Sequence, residues 1–424
     1  MWTALQRFGL RHHELPALLR NAAALLRVLA LDLHAGDNRR VPVIFYVTSA
    51  AVMALYVYTY HVSTYWFIWR GGGGGGGGER LFVILQVSLS ISSCIGVVKL
   101  LYMYLHSGKV KKLVSGYLAC DAAVARGSRM RTNVNATLRT VKKRAIIFWL
   151  IIIGNGVVYV GVPLVKPGRH LTVDGQILLG LEPMYSSPRF ELANVALWAS
   201  VFLTVYAPAN ISGFFIVVVG YSEAQMLALA QELLHLWDDA QQHYKQNRPA
   251  STQTPSCFLD ISRESQAGKR KKLRTVNEYV TSRLVSIIKC HATNISLINQ
   301  VQSIFRSSLA MEFTLLTCGL IAELLGGLEN TFIQVPFSLA QVSMDCLTGQ
   351  NLMDANKALE EAAYACGWER MHTGNRRLVL ALLQNAQRPL QLSAGGVATL
   401  GHTSLMAVFK SIYSAYTALR RFTY

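Results

Sequence analysis

Seven stretches of the chain are apolar enough, for long enough, to cross a lipid bilayer, and nothing else in the sequence restricts the fold as strongly. A helix needs about 17–25 mostly apolar residues to span the ~30 Å hydrocarbon layer. Segments 41–69, 81–106, 145–165, 191–219, 307–325, 331–348 and 395–419 meet that requirement. The third, AIIFWLIIIGNGVVYVGVPLV, is the cleanest. The fifth and sixth carry Glu312, Glu323 and Asp345 in or near them, and the second and seventh carry Lys99 and Lys410. Ionisable groups at membrane depth face a bundle interior or a wet cavity rather than lipid. The fold class expected is all-α: a polytopic membrane protein of seven transmembrane helices.

Charge sets the expected orientation. Charged residues make up 15% of the chain, well below the ~25% of soluble domains. Segments 1–40, 107–144, 220–306 and 349–394 together hold 32 Lys and Arg, against seven in the alternate connections and the tail. Cytosolic connections retain Lys and Arg because carrying them through lipid is costly. Leaving out the long 220–306 segment, where that rule weakens, the count is still 21 against seven. The N-terminus is therefore expected in the cytosol and the C-terminus outside. The cytosolic segments carry +17 of the net +18 charge, so the basic balance is read as topology, with no nucleic-acid partner. A G-protein-coupled receptor has the opposite orientation, and its Asp-Arg-Tyr and Asn-Pro-x-x-Tyr motifs do not occur.

The domain layout follows: a cytosolic N-terminal segment 1–40, spans one to four over 41–219, and a cytosolic helical loop 220–306. Spans five and six occupy 307–348, a cytosolic anchor segment 349–394, and the last span with its extracellular tail 395–424. Seven cysteines include no CxxC pair, and none falls in an outer loop, so neither a zinc site nor an extracellular disulfide is expected. The sequons at Asn135 and Asn294 fall on the cytosolic side and are expected to stay unmodified. NAAALLRVLALDLHA is interrupted by Arg27 and lacks a small-residue cleavage site, so it is not expected to be a cleaved leader. No Ser/His/Asp, metal-ligand or nucleotide constellation appears, and no enzyme activity, metal or cofactor is expected.

Gly71–Gly78 joins the first two spans on the outer face. A phosphate loop needs Gly-Lys-Ser/Thr opening a helix after a strand; here Glu79-Arg80 opens an apolar span, and the run reads as a flexible connector. Residues 221–244 and 275–305 have apolar side chains at helical spacing and are expected to extend spans four and five as protruding helices. Between them lies a Ser, Thr, Gln and Pro-rich linker, then KRKKLR at 269–274, which suits anionic lipid headgroups. PALLRNAAALLRVLAL near the N-terminus either lies along the membrane interface or packs on the bundle.

The last 80 residues resemble the insect odorant receptor family, in particular the tuning receptors of moths and butterflies. The resemblance rests on Cys346 with Gly349-Gln350; Ala363, Tyr364, Gly367 and Trp368; Arg376-Arg377; Gln387 and Pro389; Ala394-Gly395-Gly396; and Tyr413-Ser414 with Thr417 and Leu419. Upstream, Ile288 to His291 is similar to the segment before the family's fifth span. Asp345 and the eight glycines depart from the pattern. The resemblance implies a ligand-gated, non-selective cation channel subunit, assembled as a heterotetramer with a shared co-receptor in the plasma membrane of an olfactory sensory neuron dendrite. It implies a pocket for a small volatile organic ligand among the outer halves of spans two to six, a pore lined by span seven, and an inter-subunit anchor at the cytosolic ends of spans four to seven. Two alternatives are a homomeric gustatory-type channel and a secondary transporter; the latter predicts internal repeats that are not seen.

A pocket for such ligands should be aromatic and aliphatic with a few hydroxyl or amide groups. Candidates at suitable depth are Ser88, Asn155, Tyr159, Trp198, Phe202, Tyr206, Thr317, Phe332 and Phe337; bundle packing or an interfacial belt is the alternative role for the aromatics. In span seven, a helix starting at Gly395-Gly396 puts Lys410 about 22 Å further along, close to the outer interface. Ala418 and Phe422, with Leu419 as the neighbouring alternative, are candidates for the apolar constriction that closes a pore by dewetting. Trp368, Arg376, Arg377 and Gln387 are candidates for the subunit anchor, and Arg388-Pro389 ends the helix before the last span.

Overall fold

The fold is taken from a computed structural model, which describes residues 13–33, 41–70, 77–172, 177–247 and 266–423. Every expected span contains a helix. After α1 (Leu15–Val28) comes α2, Val43–Trp69, which passes through a π-helical stretch at Val57–Val62. Helices α3 (Gly77–Leu105), α4 (Ser107–Ala123), α5 (Arg129–Val165), α6 (Arg189–Leu234) and α7 (Leu236–Gln246) follow. The chain ends with α8 (Gln266–Leu325), α9 (Gln334–Ala365), α10 (Thr373–Ala386) and α11 (His402–Thr423). Five of these, α2, α3, α5, α6 and α8, are long and apolar enough to cross a membrane by length and composition. Helices α9 and α11 are less apolar: α9 buries Ser338, Gln341 and Asp345 inside the bundle.

The two longest helices exceed any bilayer. At 1.5 Å per residue, the 46 residues of α6 run about 69 Å and the 60 of α8 about 90 Å, against a ~30 Å hydrocarbon core. The expected helices over 221–244 and 275–305 are the protruding parts of these two, with one break at His235. The protruding helices are joined by ion pairs. Glu232, 4% exposed along its side chain, takes Arg129 at 2.9 Å and Arg283 at 2.5 Å, and Arg129 also reaches Asp239 at 2.6 Å. The sequon residue Asn294 is buried there and donates to the Ser222 carbonyl.

Helix α6 is the axis of the bundle. Between Ala207 and Gly220 it is buried on nearly all sides, as a helix apolar all round must be. Small residues bring α5 against it: a Cβ on Gly220 would sit 2.4 Å from Val141, and one on Gly156 would sit 2.9 Å from Val205. Such contacts fix helix register where lipid supplies no hydrophobic driving force. Helix α1 packs on the bundle. Leu15, Leu18, Leu19, Ala23 and Leu26 are buried, and Tyr206 donates to the Leu25 carbonyl at 3.0 Å.

The intramembrane charges meet in the interior. Lys99 on α3 lies 2.5 Å from Glu312 on α8 and 3.8 Å from Asp345 on α9, and it donates to Ser212 on α6 at 2.5 Å. All three charged residues are buried. Glu323 lies apart from them, accepting from Ser92 and Ser338. The sequence pointed to inward-facing charges; that one lysine, Lys99, meets acids from two other helices is a tertiary fact.

One expectation is corrected. Residues 395–401 do not begin the last helix. Ser393–Ala394 (β1) pairs antiparallel with Ala398–Thr399 (β2), Ser393 opposite Thr399, and Gly395 and Gly396 turn the corner at φ +65° and +83°. Consecutive residues at positive φ are hairpin-turn chemistry that only glycine adopts without strain. The helix starts at His402, so Lys410 is about 12 Å into it and not ~22 Å.

Candidate functional site

Below the ends of α2, α3, α5, α6 and α9 the helices separate around a small pocket. It is lined by Tyr60 from the π-helical stretch, Leu89, Ser92 and Ser93 from α3, and Asn155, Gly156 and Tyr159 from α5. Val201, Thr204 and Val205 of α6 and Gln334 and Phe337 of α9 complete the wall. A π-helical turn rotates the following side chains and recurs at functional sites; here it turns Tyr60 inward. The pocket is small, with a cavity volume of about 50 Å³. A larger guest has to displace side chains.

The polar groups around the pocket are few and mostly held. Ser93 and Thr204 donate back to the Ser90 and Ser200 carbonyls at 2.8 and 2.7 Å. Asn155 donates to the Ile333 carbonyl at 2.6 Å, which ties α5 to the start of α9. Ser92 is committed to Glu323. What faces the space is chiefly aromatic and aliphatic surface, with Gln334, Tyr60 and Tyr159 as the other polar side chains of the lining. Such a lining can take a small apolar molecule and orient it by one or two hydrogen bonds.

Of the residues singled out from the sequence, Asn155, Tyr159 and Phe337 line this pocket. Ser88 is one contact away, 3.4 Å from the Gln334 side-chain oxygen. The others lie elsewhere. Trp198 and Phe202 point outward, 38% and 46% exposed, with Phe202 stacked on Tyr206. Tyr206 is engaged with α1, Thr317 donates back to Phe313, and Phe332 is exposed in the turn before α9. Tyr60, Ser92, Ser93, Thr204 and Gln334 were not anticipated. The serine-rich SLSISS of span two was the available signal, since serines in an apolar span face protein rather than lipid.

In α11, Met406, Lys410, Tyr413 and Thr417 recur at i, i+4, i+7 and i+11 and share one exposed face. Ala418 and Leu419 are exposed as well; the side chain of Phe422 lies outside the described residues. In the anchor segment, Arg376 donates to the Met371 and Glu369 carbonyls and so holds the corner before α10. Trp368, Arg377 and Gln387 are exposed, Trp368 and Arg377 around one apolar groove with Tyr364 and Leu380.

The sequence model for the family described as 7tm Odorant receptor matches residues 81–413. The chain belongs to the odorant receptor family. Its fold is that of a solved member, the insect olfactory receptor OR5 from Machilis hrabei: the two share 14% identity at a TM-score of 0.69, over 95% of this chain and 97% of that one. The same receptor solved in complex with eugenol matches at 14% identity and a TM-score of 0.70, over 96% and 98% of the two chains. No curated protein matches by sequence. This odorant receptor is thus a helical membrane protein of a receptor family, not of an enzyme family.

Proposed function

We propose that this receptor is the odorant-recognising subunit of a heteromeric, non-selective cation channel, and that a small volatile organic molecule binds in the pocket around Asn155, Tyr159 and Phe337. The observation that carries the reading is the pocket itself: apolar, placed among the spans, with a few amide- and hydroxyl-bearing side chains in its lining. The similarly folded receptor that binds eugenol supports a guest of that size and polarity. The bias of basic residues, 32 against seven, supports a cytosolic N-terminus and an extracellular C-terminus, in the membrane that the resemblance implies, the plasma membrane of the sensory dendrite. In that orientation the exposed face of α11 with Lys410 lines a central pore, Ala418, Leu419 and Phe422 lie toward its outer end, and Trp368, Arg376, Arg377 and Gln387 belong to the segment that meets the co-receptor.

The test is co-expression with the co-receptor in oocytes and a panel of volatiles, eugenol among them, under voltage clamp. Inward cation current is expected for at least one volatile when both subunits are present and none when this chain is expressed alone. Equal current from the chain alone would contradict the heteromeric reading in favour of a homomeric channel.

A further inference from the structure

A cleft of about 560 Å³, sharing no residue with the pocket above, lies on the side read as cytosolic, where the first turns of α8 meet the start of α10. Arg270, Arg274 and Asn277 are on one wall, and Arg370, Asn375 and Arg376 on the other. The walls are fastened to each other by a buried amide network. Asn277 accepts the His372 N–H at 2.8 Å, Asn375 donates to the Asn277 carbonyl at 3.0 Å, and Thr281 donates to Asn375 at 2.7 Å. The arginines are left at the surface. Arg274 and Arg370 are 82% and 64% exposed along their side chains, and their acid neighbours Glu278 and Glu369, at 3.0 and 3.6 Å, are exposed as well; such pairs contribute little. Arg376 donates Nε and one Nη to the Met371 and Glu369 carbonyls, which leaves its other Nη.

We propose that this cleft binds a small soluble polyphosphate. Three observations select that occupant. The lining carries four guanidinium groups against one carboxylate, that of Glu278, so the guest has to bring several negative charges. All four cations are arginines, whose planar forks match pairs of phosphate oxygens. The place excludes the bilayer: Arg270 is about 56 Å along α8 from residue 307, where the expected fifth span begins, and charges in solution are screened within about 8 Å. Lipid headgroups, which the basic run 269–274 suited in the sequence, are therefore out of its reach. The volume is that of a small-molecule site, and the fixed walls hold the arginines around it. A bound anion bridges α8 to the corner before α10.

The test is calorimetric titration of the purified full-length receptor in detergent with inorganic tripolyphosphate, at about 0.15 M salt. Saturable binding is expected with a Kd below about 100 μM, tighter than that of sulfate by about ten-fold or more. Arg270→Gln with Arg370→Gln should weaken it about ten-fold or more, with the helical circular dichroism unchanged. Glu278→Gln takes an acid from the rim and should tighten binding about two-fold. Lys109→Gln with Lys112→Gln removes the same charge from exposed positions of α4 and should leave binding within about two-fold. No saturable binding, an equal loss in the Lys109 and Lys112 variant, or tighter binding of an oligoglutamate peptide than of tripolyphosphate would overturn the assignment. So would loss of tripolyphosphate binding in nanodiscs that contain phosphatidylinositol bisphosphate but not in phosphatidylcholine nanodiscs, which would give the site to a lipid headgroup. The titration reads binding without current or co-receptor, so its outcome is independent of the channel reading.

Discussion

Lys99→Met is expected to remove most of the correctly folded receptor. Lys99 sits at the meeting point of α3, α6, α8 and α9, within 2.5 Å of Glu312 and 3.8 Å of Asp345, and all three are buried. Methionine fills nearly the same volume but carries no charge, so the two buried acids are left in the interior with no cation to balance the negative charge between them. Breaking a buried pair in this way costs about 3–5 kcal/mol, because the abandoned charge keeps its desolvation penalty, and lipid offers the acids no way out to water. Replacing all the members together, Lys99→Met with Glu312→Gln and Asp345→Asn, removes the charges as a set and should restore most of the loss. The check is the monodisperse yield and thermal midpoint of the three proteins in detergent. A single variant as stable as wild type, or a triple variant worse than the single, would show that the lysine does not stabilise the buried acids.

The second large effect is expected at Gly349. A Cβ there would lie 2.3 Å from the Leu400 carbonyl oxygen and 2.4 Å from the Leu400 Cβ. Leu400 cannot retreat: its N–H is bonded to the Leu392 carbonyl at 2.8 Å, closing the hairpin that leads into α11. Gly349→Ala therefore has to push α9 away from the hairpin, an overpacking cost of about 1–3 kcal/mol. Gly154→Ala is the control, since a Cβ there meets nothing within 4 Å. In a helix interior that change should be neutral or stabilising by about 0.5–1 kcal/mol. Thermal unfolding of both variants decides the matter; equal midpoints would mean that the contact between α9 and the hairpin is slack. Next to it, Gln350 of α9 accepts the His402 N–H at 3.2 Å, so α9, which bears Phe337, also meets the start of α11 directly.

How much of this was legible beforehand depended on the kind of signal. The spans were legible because hydropathy averages over a whole helix, and the extensions of α6 and α8 were legible because amphipathic spacing continues past the apolar run. The start of α11 differs from the expectation because Gly395-Gly396 turn a hairpin instead of opening the span, and two adjacent glycines are turn chemistry. The charges could be said to face inward, but not which would meet, since Lys99 and Asp345 are far apart in the chain and only tertiary packing brings them together. The pocket was half legible for a related reason. A helix that is apolar all round has no preferred face in its sequence, so Phe202 and Phe337 looked alike, and only packing turned one toward lipid and the other toward the cavity. Gly71–Gly78 lies mostly outside the described residues, as does the linker before KRKKLR.

The most direct test compares aromatic side chains inside and outside the pocket. Concentration–response curves for an activating volatile should be recorded with the co-receptor for wild type, Phe337→Ala and Phe202→Ala. Removing a ring that packs on a small ligand forfeits about 1–3 kcal/mol, so Phe337→Ala should raise the half-maximal concentration about ten-fold or more, while Phe202→Ala should leave it within about two-fold. A shift for Phe202→Ala with none for Phe337→Ala would place odorant recognition outside this pocket and contradict the account.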